Sequence, residues 1–317
     1  MRKYMIGYSL KDKKRMMGLF EPNISVLLPV YNYQNLSPTI NSILSQSYNN
    51  FELLICDDGS TKRIKPPKIN DKRIKYFRNK KNIGLGGTLN YLLTLTSKTS
   101  LYFCTIEQDD IYKSYYLENC YSFLNNNKNY GLVSGISEFW NGNKVTYRFP
   151  GILASGREYP IGREMFLINF LEQIKVAQTC MLVRKSVHIN NNLNFSTKYP
   201  SLSMDWDYIL RFSLISRIKG LHKTFVIQDR RVNRSSLTTK TVLMSLTARR
   251  LLRDFYDEFP KIITKRHYKY ALATQLYREL GNYHFLSRIK FILFNIILLD
   301  PDKKRLIKRI KKELKIK

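Results

Sequence analysis

The residues best suited to chemistry lie in one stretch, Thr105-Ile106-Glu107-Gln108-Asp109-Asp110, directly after the apolar run Leu101-Tyr102-Phe103-Cys104. Carboxylates crowded at the exit of a buried strand repel one another and resist desolvation, and a cation or a solvent cleft offsets that cost. The chain as a whole carries a formal charge of +30, so the acidic cluster runs against the bulk composition. A second pair, Asp57-Asp58, follows the apolar run from Phe51 to Cys56. Ligands of open α/β sheets bind beyond the carboxyl ends of the strands. Two acid-tipped strands therefore point to a divalent-metal and nucleotide site. The competing reading is that Asp109 and Asp110 merely begin a helix over 111–124, which leaves Glu107 without a role.

The elements that position these acids alternate. Ser25 to Val30 reads as a buried strand closed by Pro29-Val30, and a helical segment from Thr39 to Gln46 follows with Ile40, Ile43 and Leu44 at helical spacing. Strands at 51–56, 73–77 and 101–104 come next, with a helix after Gly84-Leu85-Gly86-Gly87 that carries Leu89, Leu92, Leu93 and Leu95. Strand and helix alternating in this way predict a Rossmann-like α/β sheet, mainly parallel and flanked by helices. Further strands are expected at 131–135 and 180–183, helical character from about 162, and an all-helical segment beyond 240. The domain organisation expected is a basic lead-in over 1–22, a nucleotide-binding half over 23–124, an acceptor half over 125–240 and a basic helical extension over 241–317. The Gly84–Gly87 stretch lacks GxGxxG spacing and belongs to the third unit of the sheet, which excludes a dinucleotide fingerprint.

Composition narrows the rest. Cys56, Cys104, Cys120 and Cys180 form no CxxC pair and read as buried free thiols of a reducing compartment. The histidines are scattered, which argues against a histidine-held metal. No apolar stretch of signal-peptide or membrane-span length occurs, so a cytoplasmic protein is expected, free or peripheral on the cytosolic face of a membrane. An AT-rich coding sequence explains the abundance of Lys, Asn, Ile and Tyr but not their clustering.

Taken together, the first 110 residues resemble the N-terminal half of a family 2 glycosyltransferase of the GT-A fold. The matching pieces are Ser25 to Asn32, Ile40 to Tyr48, Phe51 to Thr61, Asn79 to Asn90, and Glu107-Gln108-Asp109-Asp110 in the family's Asp-x-Asp-Asp slot. The second half matches less densely. Ser203 to Arg211 resembles the Glu-Asp segment, with Met204 where the glutamate usually sits, and Arg231 to Thr238 resembles the late Arg-x-His segment, with Asn233 in the histidine slot.

The resemblance implies an inverting transfer of a sugar from a nucleotide diphosphate donor, a UDP-sugar foremost. The acceptor would be a hydroxyl of a glycan or lipid-linked molecule in cell-surface polysaccharide synthesis. It implies a divalent metal, Mn²⁺ or Mg²⁺, on Asp109 and Asp110, with Glu107 facing the ribose or donor sugar. Donor contacts would come from Pro29, Tyr31, Asp58, Asn82, Gly84, Glu107, Asp109 and Arg231, with Tyr31 stacked on the base and Asp58 accepting from its imide N–H. Core packing is the alternative for Tyr31, a turn-capping role that for Asp57, and a solvated charge that for Arg231 and Arg234. Asp205 is the candidate general base. Asp207 competes, and on an extended segment the two face opposite ways. Trp206 between them is a sugar platform or a core anchor.

The last helices carry a second signal. Ile289, Ile292, Leu293, Ile296 and Ile297 share a helical face, and the run Lys303 to Lys317 holds nine basic residues with Leu306, Ile307, Ile310 and Leu314 on one side. A basic amphipathic helix suits an anionic membrane surface, or packs on the domain with its charged side solvated. Two other functions compete with the transferase. A nucleotidyltransferase would carry a Gly-rich basic phosphate loop where this chain has Val30-Tyr31-Asn32-Tyr33. A nucleic-acid-binding protein has no use for carboxylates at strand ends, so no nucleic-acid partner is expected.

Overall fold

In the computed structural model, residues 21–65, 70–149, 160–173, 176–199, 203–231, 241–280 and 285–313 are described. The chain runs β1 (Ile24–Val30), α1 (Ser37–Leu44), β2 (Phe51–Asp57), β3 (Ile74–Arg78), α2 (Gly84–Thr94), β4 (Tyr102–Thr105), β5 (Ile111–Tyr112) and α3 (Tyr116–Asn126). Then follow β6 (Tyr130–Trp140), β7 (Val145–Phe149), α4 (Arg163–Glu172), β8 (Leu182–Arg184), α5 (Lys185–Asn190), α6 (Met204–Ser213) and β9 (Arg217–Asp229). Four helices close the described chain: α7 (Thr241–Glu258), α8 (Lys265–Glu279), α9 (Phe285–Leu299) and α10 (Lys303–Glu313).

One sheet in the order β3-β2-β1-β4-β8-β6-β9-β5, with β7 on β6, spans both halves of the 23–240 region. Its first four strands are parallel, and β8, β5 and β7 add antiparallel pairs. β1 and β2 are buried along their whole length, as strands covered on both faces must be. The two-residue period sorts their side chains. Ile24, Val26, Leu28 and Val30 pack with Ile40 and Ile43 of α1 and Tyr116 and Leu117 of α3. Leu27 and Leu54 face the opposite core, with Leu89 and Leu92 of α2 and Met204 and Ile209 of α6.

Several expectations need correction. No helix starts at 111: Ile111 and Tyr112 pair with Ile227 and Val226 of β9, and α3 begins at Tyr116 with Tyr115 as its N-cap. Asp109 and Asp110 therefore do not cap a helix. β9 gives no apolar run because its first half alternates among exposed and half-buried positions, including Lys219, His222 and Lys223. Only the partners β6 and β5 make it a strand. β7, with its mostly exposed side chains, was silent for the same reason.

The extension packs on the sheet domain. Leu251, Leu252 and Phe255 of α7 share a core with Phe166 and Phe170 of α4 and Trp206 and Leu210 of α6. Part of the α10 stripe is turned inward: Leu306 is 1% exposed and Ile310 packs with Leu276 of α8, while Ile307 is 49% exposed. Arg305 and Arg309 hold α10 to Glu172 of α4, each at 2.7 Å. Residues 1–20, Asn233, Arg234 and Leu314 lie outside the described residues.

Candidate active site

Tyr31, Asp58 and Glu107 leave adjacent parallel strands at their carboxyl ends, where Val30 pairs with Asp57 and Leu27 with Thr105. Pro29 fits this central strand because β4 has ended beside it. Leu27 O accepts the last bond from that side, from Ile106 N at 3.0 Å, so the missing N–H of Pro29 breaks no ladder.

A turn closed by Asp110 N donating to Glu107 O at 3.2 Å gathers the acidic loop. Gln108 fastens it: its side-chain oxygen accepts from Tyr31 N at 2.8 Å, and its carbonyl from Thr39 Oγ1 at 3.0 Å. Ligand oxygens of Glu107, Asp109 and Asp110 then lie within 4.8 Å of one another. Asp110 is fully buried: Gln228 Nε2 reaches its Oδ2 at 3.4 Å, the Thr179 hydroxyl also bonds the carboxyl, and its Oδ1 has no hydrogen-bond partner. Burial pushes Glu107 up to about 7; Arg230 opposes the rise, while Asp109 and Asp205 add to it. Burial first, then Glu107 and Asp109, holds Asp110 well above the usual carboxylate range. A buried carboxylate oxygen with no donor is costly. The all-oxygen set of three acids has the hardness and size a divalent cation requires. The residues present fit a metal.

Asp205 and Asp207 sit in the first turn of α6, not on an extended segment. Two residues on a helix are separated by about 200°, so they still diverge. Asp205 is close enough to Glu107 to raise its pKa. Asp207 is 2% exposed, paired with Arg211 at 3.3 Å, and pushed up to about 6 by burial. Trp206 is a core anchor, fully buried with its Nε1 donating to Asn169 Oδ1 at 3.1 Å. Met204, in the slot of the family's glutamate, is buried against α2, where Gly86 leaves room for its sulfur.

The nucleotide-side residues divide by role. Tyr31 is 43% exposed, not a core aromatic. Asp57 is structural: it accepts from Ser60 N at 2.9 Å and Ile64 N at 3.2 Å and pairs with Arg78. Burial alone would raise its pKa, but those hydrogen bonds and the guanidinium hold it low. Asp58 accepts from Asn79 Nδ2, Ile83 N and Gly84 N, all at 2.9 Å. Its carboxylate thus caps α2 from a neighbouring strand, leaving about one acceptor site for anything else. Asn82 Oδ1 accepts from Gly84 N at 3.1 Å, and Gly84 takes φ +80°, which glycine supplies without strain. Asn82 and Gly84 shape this turn.

Arg231 is exposed and bound to Asp229 at 2.6 Å. Its neighbour Arg230, which no motif marked, is the cation whose charge acts on Glu107 and Asp110. Arg230 donates to Gln228 Oε1 at 2.8 Å, and Gln228 Nε2 donates to Thr179 Oγ1 at 3.2 Å. These three residues come from the end of β9, the position just after it and the turn before β8, so only the tertiary pairing brings them to the acids.

Acids beyond parallel strands, a capped glycine turn and an exposed aromatic at the first strand's end thus share the carboxyl edge of one α/β sheet, where such sheets bind ligands. The sequence profile of glycosyl transferase family 2 matches residues 25–191. The chain belongs to that family, and it is a glycosyltransferase. It is 27% identical over 221 residues to the UDP-Glc:alpha-D-GlcNAc-diphosphoundecaprenol beta-1,3-glucosyltransferase WfgD of Escherichia coli, covering 68% of this chain and 79% of that one. An uncharacterized glycosyltransferase of Haemophilus influenzae is 24% identical over 327 residues, covering 92% and 96%. The fold is that of S. aureus TarS 1-349 in complex with UDP, with a TM-score of 0.54 and 15% identity over 92% of this chain and 91% of that one. The longer TarS chain is covered to 43%.

Proposed function

We propose that this glycosyltransferase moves a sugar with inversion from a UDP-sugar to a hydroxyl of a glycan or lipid-linked acceptor in cell-surface polysaccharide synthesis. The observation that carries the reading is the convergence of Glu107, Asp109 and Asp110 beside an exposed Tyr31 at the end of β1. Asp109 and Asp110 would hold a divalent metal, Mn²⁺ or Mg²⁺, which when bound neutralises the diphosphate leaving group. Tyr31 offers a face for the base, and Asp58 with Asn82 and Gly84 keeps the adjacent turn in place. Asp205, on the acidic cluster's side of α6, takes the acceptor proton as the hydroxyl attacks the anomeric carbon. Arg230 places positive charge where the leaving phosphates gather, and Arg231 flanks it. Named relatives support the donor and acceptor classes: WfgD uses UDP-Glc and a diphosphoundecaprenol-linked acceptor.

The experiment is a donor screen in Mn²⁺ that measures release of UDP, GDP or dTDP from their sugars. UDP release that disappears on chelation is expected. Release of GDP or dTDP alone overturns the donor assignment, and full turnover in chelator overturns the metal.

A further inference from the structure

Helix α9 is apolar on two sides. Ile292, Ile296 and Leu299 pack inward with Leu276 and Leu306. On the outer side Leu293 is 59%, Phe294 64%, Ile297 83% and Leu298 63% exposed. A helix apolar all round belongs in a core or against lipid, and contiguous exposed apolar surface marks an interaction site. On its buried side α9 is tied to α7, where Arg249 donates to Asn295 Oδ1 at 2.9 Å. At 15 residues α9 is too short to cross a bilayer, and no helix of the described residues is long and apolar enough to do so.

Just past Leu298 the surface turns basic. Lys265, Arg266, Lys269, Lys303 and Lys304 line an open cleft of about 530 Å³ with Asp300, Pro301 and Asp302. Its two carboxylates are engaged: Asp300 pairs with Lys269, and Asp302 Oδ1 caps α10 by accepting from Arg305 N at 3.0 Å. The starts of α8 and α10 both open here, each adding partial positive charge.

We propose that the outer face of α9 and this basic cleft dock the protein on an anionic phospholipid bilayer. The ridge enters the headgroup–acyl boundary, as interfacial amphipathic helices do, and the cleft receives lipid phosphates. An apolar ridge bordered by surplus cations complements a surface that is apolar within and anionic outside. A second protein copy would meet the same positive cleft. The inference does not depend on the transferase reading, and it places the apolar contact chiefly on α9, because Leu306 and Ile310 of α10 pack inward.

The test is co-sedimentation of the full chain with phosphatidylglycerol-rich and pure phosphatidylcholine vesicles, at low and high salt. Binding to the anionic vesicles alone, weakening with salt, is expected. Lys303→Ala with Lys304→Ala should lower it about 30-fold at low salt, since each cation near the surface contributes roughly 1 kcal/mol. Ile297→Asp, at the most exposed position of the ridge, should lower it by roughly tenfold or more with an unchanged circular dichroism spectrum. Indifference of the wild type to anionic vesicles, equal binding to both lipids, or wild-type binding by both variants overturns the proposal. So does a concentration-dependent dimer that Ile297→Asp dissociates while vesicle binding stays as it was.

Discussion

Replacing Asp110 with asparagine should stabilise the metal-free protein while removing its function. Asp110 is fully buried, its Oδ1 has no donor, and Glu107 and Asp109 crowd it within the 4.8 Å cluster. An ionised carboxylate there can only accept and repel, so burial and its neighbours drive Asp110 toward its protonated form. An amide of nearly the same shape can donate to the neighbouring carboxylates. An unsatisfied buried group costs about 1–3 kcal/mol, so Asp110→Asn should recover part of that and raise Tm in chelator by roughly 2–6 °C, given the few degrees that 1 kcal/mol shifts a large domain. Mn²⁺ at a hundred times its Kd should stabilise the wild type by about 2.7 kcal/mol and the variant far less. Loss of several kcal/mol of charge stabilisation should lower turnover by roughly 10²–10⁴-fold. Thermal scans in chelator and in Mn²⁺, beside nucleotide release, measure all three. A variant that melts earlier in chelator and keeps the full Mn²⁺ shift refutes the placement of a metal at Asp110.

Asp205→Asn should cut transfer by roughly 10²–10⁴-fold with donor binding retained, and the same defect in Asp207→Asn instead would move the base to the wrong face of α6. Gly59→Ala should destabilise and raise the donor KM, because φ is +67° and a Cβ would stand 2.5 Å from Lys81 C, displacing the turn that Asp58 caps; unchanged urea midpoint and KM would show that the turn tolerates it. His188, 5% exposed and bonded to Tyr208 at 2.9 Å, is lowered by burial to about 4. Between about 6.5 and 4 the unfolded chain binds the extra proton, so stability falls as pH drops, by about 2 kcal/mol at pH 5 and about 3 kcal/mol below pH 4. Denaturant titrations of the wild type and His188→Phe should diverge in that window, and parallel pH profiles would assign the acid sensitivity elsewhere.

The sequence by itself determined the strands whose burial is total. In β1, β2 and β4 both faces are covered, so their sequences are mostly apolar, the buried Glu52 being held by Ser25 and Lys75, and the residues just past such runs fall at the sheet's ligand edge. Tyr31, Asp58 and the acidic loop were legible for that reason, as were the α1 and α2 helices with their apolar spacing. Tertiary structure decided what pairing and proximity alone can decide. β9 is half solvated and exists because β6 and β5 bond to it. Thr179 reaches the acids from 69 residues beyond Asp110, and Gln228 and Arg230 from 118 and 120. The divergence of Asp205 from Asp207 rests on a helix, not a strand. Which amphipathic face of the basic tail turns inward was also beyond the pattern: α9 and α10 each offer an apolar stripe, and the fit against α8 buries Leu306 while leaving Ile297 in solvent. Periodicity records that a face is apolar; which partner covers it is set by the shape of the surface it meets.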